Sequence, residues 1–324
     1  MSKLPLSARS CFVLALLLSY AGCNFIDESL ETDERHQEVF NSPQADVNDI
    51  SWSVDELTPG VVLARSHFLD GAPRYVSILT VDVNAPGTRI VIHSTDQYQE
   101  NPHRMTISQF GHRAGALAAT NAGFGHGGRA YFNSGILKID GEVVPFYDDE
   151  PEDTRFVGSS AVGIDATGRW YFRERPGESW DDDWPEVEYA LAGGHMLVSG
   201  GEVKGNILRN EYHTTTERNH MNRDHPRTAI CQLFDGSVAL FAVDGRHVEA
   251  KGMSLLELAG FMQNYGCVNA INLDGGGSTT MWSDKFGVVN HPSDNGVFDH
   301  EGERILRTAI IIYSDYTSTA AESD

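Results

Sequence analysis

The chain has 324 residues, 40% of them hydrophobic and 22% charged, with a formal net charge of −22. That length and apolar content support a sizeable core in one large domain or two smaller ones. A field this negative repels nucleic acid and anionic lipid head groups, and it admits a phosphate-bearing ligand only where arginines reverse the sign locally.

The N-terminus reads as an export signal. Lys3 and Arg9 give a positive start, and Cys11 to Leu18 form an apolar run too short to span a bilayer. The run leads into SYAGC, similar to a bacterial lipoprotein processing site, with residues 1–22 removed and Cys23 acylated; plain cleavage is the alternative. Residues 24–58 hold ten acids against the single base Arg35, the composition of a solvated tether over 23–58. The expected protein is exported, and either lipid-anchored at a bacterial cell envelope or secreted. Its folded domain covers 59–315, followed by a tail at 316–324. Beyond the leader and Cys23 only Cys231 and Cys267 remain. Their apolar contexts suit buried free thiols, and sequence leaves pairing open.

From Pro59 onward short β-rich runs dominate: VVLARSHF, RYVSILTVDV, RIVIHS, SAVGID, RWYFRE, RTAICQLF, SVALFAVD and RTAIIIYS. Asp235-Gly236 and Ala166-Thr167-Gly168 read as hairpin turns. The expected class is α+β, with strand-rich mixed or antiparallel sheets and few helices. The clearest helix starts at Ser254, where Ser254 and Glu257 make a capping box. Leu255, Leu258, Ala259, Phe261, Met262 and Tyr265 then form a core stripe that stops at Gly266. The plan echoes an earlier segment. From Met105 and again from Met253 the chain runs hydroxyl cap, helix, glycine, apolar strand, asparagine and glycine loop. Two related helix–strand–loop units around one cleft are expected.

The second loop, NLDGGGSTTM, carries Asp274 at its lip, followed by Gly275, Gly276, Gly277, Ser278 and Thr279. Consecutive glycines mark backbone that turns sharply or approaches another group closely. The loop lacks the lysine of a phosphate-binding P-loop and the spacing of a dinucleotide fingerprint. What remains is a pocket of amides with a carboxylate at its entrance. The stretch HTTTERNHMNRDH (His213, His220, His225) lacks tight metal-ligand spacing, so a lid loop is favoured over a metal site. Trp180, Trp184 and Asp181 to Asp183 read as a surface loop, with a tryptophan available to stack on sugar. No metal is assigned; the many acids leave room for a structural calcium, although no EF-hand pattern occurs.

Several ordered blocks resemble the phosphodiester glycosidase family: TNAGF (120–124), SGILKIDGEVV (134–144), GGHMLVSGG (193–201), HPRTAI (225–230), VDGR (243–246), GMSLLELAGFM (252–262), NLDGGGSTTM (272–281) and NHPSDN (290–295). The resemblance implies hydrolysis of a sugar 1-phosphodiester on the sugar side, with a phosphorylated glycan as partner. Gly125 and His195 depart from its usual residues. It implies Asp274 and Asp244 as catalytic carboxylates and Arg227 and Arg246 as phosphate ligands, since guanidinium forks match phosphate oxygens. Asn121, Gly123, Asn272, the three loop glycines, Ser278 and Thr279 complete the implied substrate contacts. The chemistry is consistent on its own terms. The departing phosphomonoester has a second pKa of about 6 and needs little general-acid help. The site then needs one carboxylate at the anomeric carbon and fixed donors for the phosphate. The rivals are a metal-dependent phosphodiesterase and a non-catalytic glycan-binding surface protein.

Overall fold

The computed structural model describes residues 47–97, 104–125, 133–147, 155–175, 180 and 184–315. The leader, Cys23 and its acylation, the tether up to residue 46, Asp181 to Asp183 and the tail lie outside them.

The largest sheet has eight strands, in the order β1 (Ser53–Thr58), β2 (Val61–Asp70), β3 (Ala72–Val81), β16 (Val238–Val243), β15 (Arg227–Leu233), β17 (Cys267–Asn272), β13 (Met196–Ser199) and β14 (Glu202–Val203). A five-stranded sheet orders β11 (Trp170–Glu174), β10 (Ser160–Ile164), β12 (Tyr189–Gly193), β7 (Leu137–Ile139) and β8 (Glu142–Val143). Another orders β19 (Gly287–Val288), β18 (Met281–Ser283), β5 (Ala118–Asn121), β20 (Thr308–Ser314) and β4 (Thr88–Ser94). These three sheets are antiparallel, and only the short β6 (Asn133–Ser134) and β9 (Phe146–Tyr147) pair in parallel. The four α-helices among the described residues are α1 (Ile107–Ala114), α2 (Gly205–Leu208), α3 (Thr215–Asn222) and α4 (Leu255–Tyr265). None is long and apolar enough to cross a membrane.

The central strands of the eight-stranded sheet, β15 and β16, are buried on both faces, which is why they read as near-continuous apolar runs. Ile230, Leu240, Ala242 and Ile271 point to a core shared with the other sheets. Their alternates Ala229, Cys231, Ala239, Phe241 and Val243 meet the helices, among them Leu255, Leu258, Phe261 and Met262 of α4. Helix α4 has the expected Ser254–Glu257 capping box and ends on Gly266 at φ 99°. Helix α1 has its own box between Thr106 and Gln109 and ends on Gly115 at φ 61°. Both hairpin turns form, closing β10 on β11 and β15 on β16.

Three expectations change. The tether ends earlier than 58: Val47 and Ile50 are buried in the helix-side core, and β1 pairs with β2, with Arg65 2.8 Å from Asp55. Cys231 and Cys267 are not free thiols; they form a disulfide between neighbouring strands β15 and β17, Cα atoms 5.7 Å apart. Trp180 and Trp184 are core residues, 5% and 4% exposed, packed with Val187 and Ala190. Their pattern reads as surface because the acids between them dominate the local composition.

Candidate active site

The strands β5 and β17, each fed by a capped helix, deliver their loops to one place. Asn121 Nδ2 donates to Asp274 O at 2.6 Å, and Asp274 N donates to Ala122 O at 3.1 Å. Asn121 Oδ1 accepts from Thr228 Oγ1 at 2.8 Å and from Thr280 N at 3.0 Å. The two units therefore meet, although β5 and β17 belong to different sheets. Asn121 is fully buried, so it latches the loops together and has no face left for substrate.

Each loop glycine admits a neighbour that a side chain would exclude. A Cβ on Gly275 would stand 2.7 Å from Pro226 O, the carbonyl that accepts Gly276 N. On Gly276, at φ 62°, it would stand 2.7 Å from Arg246 Nη2. On Gly277 it would collide with Arg304 Nη2 and Asp294 Oδ1. The run GGG thus lets two arginines lie against the backbone that carries Asp274.

Asp274 is partly buried. Burial pushes its carboxyl up to about 6, against the opposing pull of the Ser278 hydroxyl, Arg304, the Gly275 amide and Arg246. Arg304 is gripped by Asp294, Nη2 to Oδ1 2.5 Å and Nε to Oδ2 3.2 Å, and donates Nη1 to Ser278 Oγ at 3.2 Å. Arg246 is exposed and holds φ 68°, one of four positive-φ non-glycine residues among those described. Backbone held in that region is a strain often kept at functional sites.

Asp244 is fully buried, and both its oxygens are taken. Oδ1 accepts from Asn290 Nδ2 at 2.9 Å and His291 N at 3.0 Å, while Oδ2 lies 2.8 Å from His291 Nδ1. It is therefore not a second carboxylate facing substrate; it orients an imidazole. The His291 ring stacks 3.8 Å from Phe298 and 4.5 Å from His300, with Tyr75 edge-on at 4.7 Å. Asn290 ties this group to the glycine loop through Thr279 O at 3.1 Å and Met281 N at 2.7 Å.

Arg227 also departs from expectation. It is 1% exposed and donates Nε to Met253 O at 2.8 Å and Nη2 to His220 O at 2.7 Å and Arg223 O at 3.0 Å. Burial lowers its guanidinium to about 9. With Nε and Nη2 spent on carbonyls, Nη1 alone is left for a phosphate, so no two-nitrogen fork is offered. Burial and the Arg227, Arg246 and Arg223 charges lower His225 to about 4, so it is neutral. Asn272 and Thr279 are buried, at 0% and 1% exposure, and Gly123 is buried at the start of the first loop. Among the described residues, no group of three or more His, Cys, Asp or Glu is arranged to hold a metal.

The sequence reading missed Arg304, His291 and Asp294. The latter two stand in the NHPSDN block, but Arg304 lies outside every motif, and only its packing over Gly277 identifies it.

Fold and site together define a strand-rich protein of antiparallel sheets, with one carboxylate in a glycine loop flanked by two arginines. The family model of the phosphodiester glycosidases matches residues 114–313, and the chain belongs to that family. Over 123 residues it is 35% identical to N-acetylglucosamine-1-phosphodiester alpha-N-acetylglucosaminidase of Bos taurus, 36% of this chain and 23% of that protein. Over 95 residues it is 33% identical to the SPbeta prophage-derived protein YomE of Bacillus subtilis (strain 168), 29% and 14% of the two chains. The chain thus spans less than a quarter of the length of these curated relatives. Among solved structures, the zebrafish N-acetylglucosamine-1-phosphodiester alpha-N-acetylglucosaminidase catalytic domain, auto-inhibited by its pro-peptide, superposes with a TM-score of 0.61 at 22% identity over 85% of each chain. A Synechocystis protein superposes at 0.57 and 14% identity, over 82% of this chain and 64% of that one. These likenesses are of fold.

Proposed function

We propose that the protein hydrolyses the glycosidic C–O bond of a sugar 1-phosphodiester, releasing a sugar and a phosphomonoester. The observation that carries the reading is Asp274, held in the glycine loop with Arg304 bonded to its neighbour Ser278 and Arg246 over Gly276. Asp274 serves as the carboxylate at the anomeric carbon, as nucleophile or as base for water. The anomeric C–O bond breaks with its electron pair leaving on the phosphate, whose growing charge Arg246 and Arg304 stabilise. Asp244 is a positioning residue, and His291 is the group it readies to hold or move a proton. Export through residues 1–22 and acylation at Cys23 belong to the same proposal, placing the enzyme at a cell envelope.

Incubation with a panel of sugar 1-phosphodiesters, followed by product analysis, tests the reading. Free sugar and phosphomonoester in equal amounts, lost in Asp274→Asn, are expected. Turnover of none of the panel, with glycan binding alone retained, overturns it in favour of a binding protein.

A further inference from the structure

Past Arg246 the chain enters a cluster of rings. His247 lies 5.4 Å from Phe298, which stacks 3.8 Å from His291 and stands 6.2 Å from Tyr75. Tyr75 lies 5.7 Å from His67, its partner across β2 and β3. The next pair on that face, by alternation, is Leu69 with Pro73. Phe68, on the other face, stacks on Phe261 of α4. The turn after His247 is closed by His247 N donating to Ala250 O at 3.0 Å. It is tied to the β2–β3 arm twice, with His67 Nε2 3.1 Å from Glu249 O and Lys251 N donating to Pro73 O at 3.0 Å.

What this assembly turns outward is aliphatic. Val248 is 74% exposed, Val297 53% and Leu69 79%. Val248 follows His247 and Val297 precedes Phe298, so both valines border the contact between those rings. Single exposed apolar side chains are ordinary, but these three edge one cluster that begins beside Arg246. Their surroundings say what covers them. Glu249 and Asp299 stand next to the cluster in a chain of net charge −22, and they repel an acidic group. His291 stacks with both Phe298 and His300 and meets Tyr75 edge-on, so its ring is already engaged and does not invite an aromatic one. An aliphatic chain needs only apolar contact and gains affinity with each methylene it buries.

We propose that Leu69, Val248 and Val297 form a docking strip for an aliphatic chain esterified to the far side of the phosphate, which makes the substrate a lipid-carried sugar phosphate. The inference rests on the hydrolysis proposed above for where sugar and phosphate lie. With the sugar at Asp274 and the phosphate at Arg246, the second ester arm runs past His247 to the valines. Cleavage on the sugar side then leaves the phosphate on the lipid.

Titration calorimetry of the whole chain with methyl, butyl and octyl phosphate, each below its micelle concentration, tests this without turnover. Affinity should rise about five-fold or more from methyl to octyl phosphate. Val248→Asn and Val297→Asn lie at exposed positions; each should cut that rise by about half, and the double variant should abolish it. Phe234→Asn, at a residue 85% exposed beyond the other end of β16, is the control and should keep the rise in full. No binding, equal affinity for the three probes, a rise that survives the double valine variant, or a rise lost in Phe234→Asn overturns the strip. Binding to neutral phosphatidylcholine vesicles that the valine variants abolish, with no rise across the probes, overturns it in favour of a membrane contact. A rise that obeys the variants, with no hydrolysis of methyl or octyl sugar 1-phosphodiesters, keeps the strip and overturns the reaction. Hydrolysis of both esters with no rise keeps the reaction and overturns the strip.

Discussion

His291 Nδ1 and Asp244 Oδ2 stand 2.8 Å apart, and the same carboxylate also accepts the His291 backbone amide at 3.0 Å. The ring is thus fixed by a fully buried acid whose other oxygen also accepts from Asn290 Nδ2. Asp244→Asn keeps the shape but offers a poorer acceptor and permits the wrong imidazole tautomer. A fall in kcat of about 10²–10⁴-fold with KM within about three-fold is expected, by analogy with other acid–histidine pairs. A variant with unchanged kcat and pH profile would reduce the pair to a structural clasp.

Asp274 carries a pH signature. Its carboxyl sits at about 6 in the folded protein, against 3.8 ordinarily. An ionised Asp274 acting at the anomeric carbon makes activity rise with pH through about 6. The same shift has a stability consequence of opposite usefulness. The folded state favours the protonated form, so ionisation destabilises it above about pH 6, and this effect vanishes below about pH 4. Asp274→Asn should therefore be inactive yet more stable at pH 7.5, by up to about 2–3 kcal/mol, with the gain fading on acidification. Denaturant melts at pH 7.5 and 4 measure it, and a variant less stable at both would show that the carboxylate is structurally needed.

The arginines make a paired prediction. Arg304→Lys loses the fork that Asp294 and Ser278 hold, and should lower kcat/KM by about 10–100-fold. Gly277→Ala drives a methyl group into Arg304 and Asp294 and should reproduce the loss without touching either charge. Overlapping defects in the single variants, and little further loss in the double, are expected from a shared mechanism. Full additivity would place the two residues in separate roles.

The disulfide joins neighbouring strands that carry site residues, Arg227 and Thr228 on β15 and Asn272 on β17. It closes a loop with a sequence separation of 36. Replacing both cysteines with serine should cost about 3–4 kcal/mol in a denaturant melt. A loss under about 1 kcal/mol would mean that strand pairing alone sets this register.

Much of this architecture is legible in local sequence. The hydroxyl cap at Thr106, the capping box at Ser254, their glycine stops and the Asp235-Gly236 hairpin are written within a few residues, and all form. The glycine loop announces close approach, and the structure shows what approaches. Long-range choices are silent. Nothing near Arg227 says that its guanidinium will face the carbonyls of Met253, His220 and Arg223, and nothing near Arg304 says that it will cross Gly277. Trp180 and Trp184 mislead because polar neighbours in sequence do not report which rings the fold turns inward. The acid-rich approach to β1 misleads likewise, since a strand such as Ser53–Thr58 can be stabilised by its neighbour despite a charged composition.

The central claim is the bond that breaks, and hydrolysis of a sugar 1-phosphodiester in ¹⁸O-water reads it directly by mass spectrometry of both products. Attack at the anomeric carbon, with Asp274 as the acting carboxylate, places the label on the sugar and none in the phosphomonoester. Label in the phosphomonoester, with unlabelled sugar, would contradict the account and make the protein a phosphodiesterase acting at phosphorus.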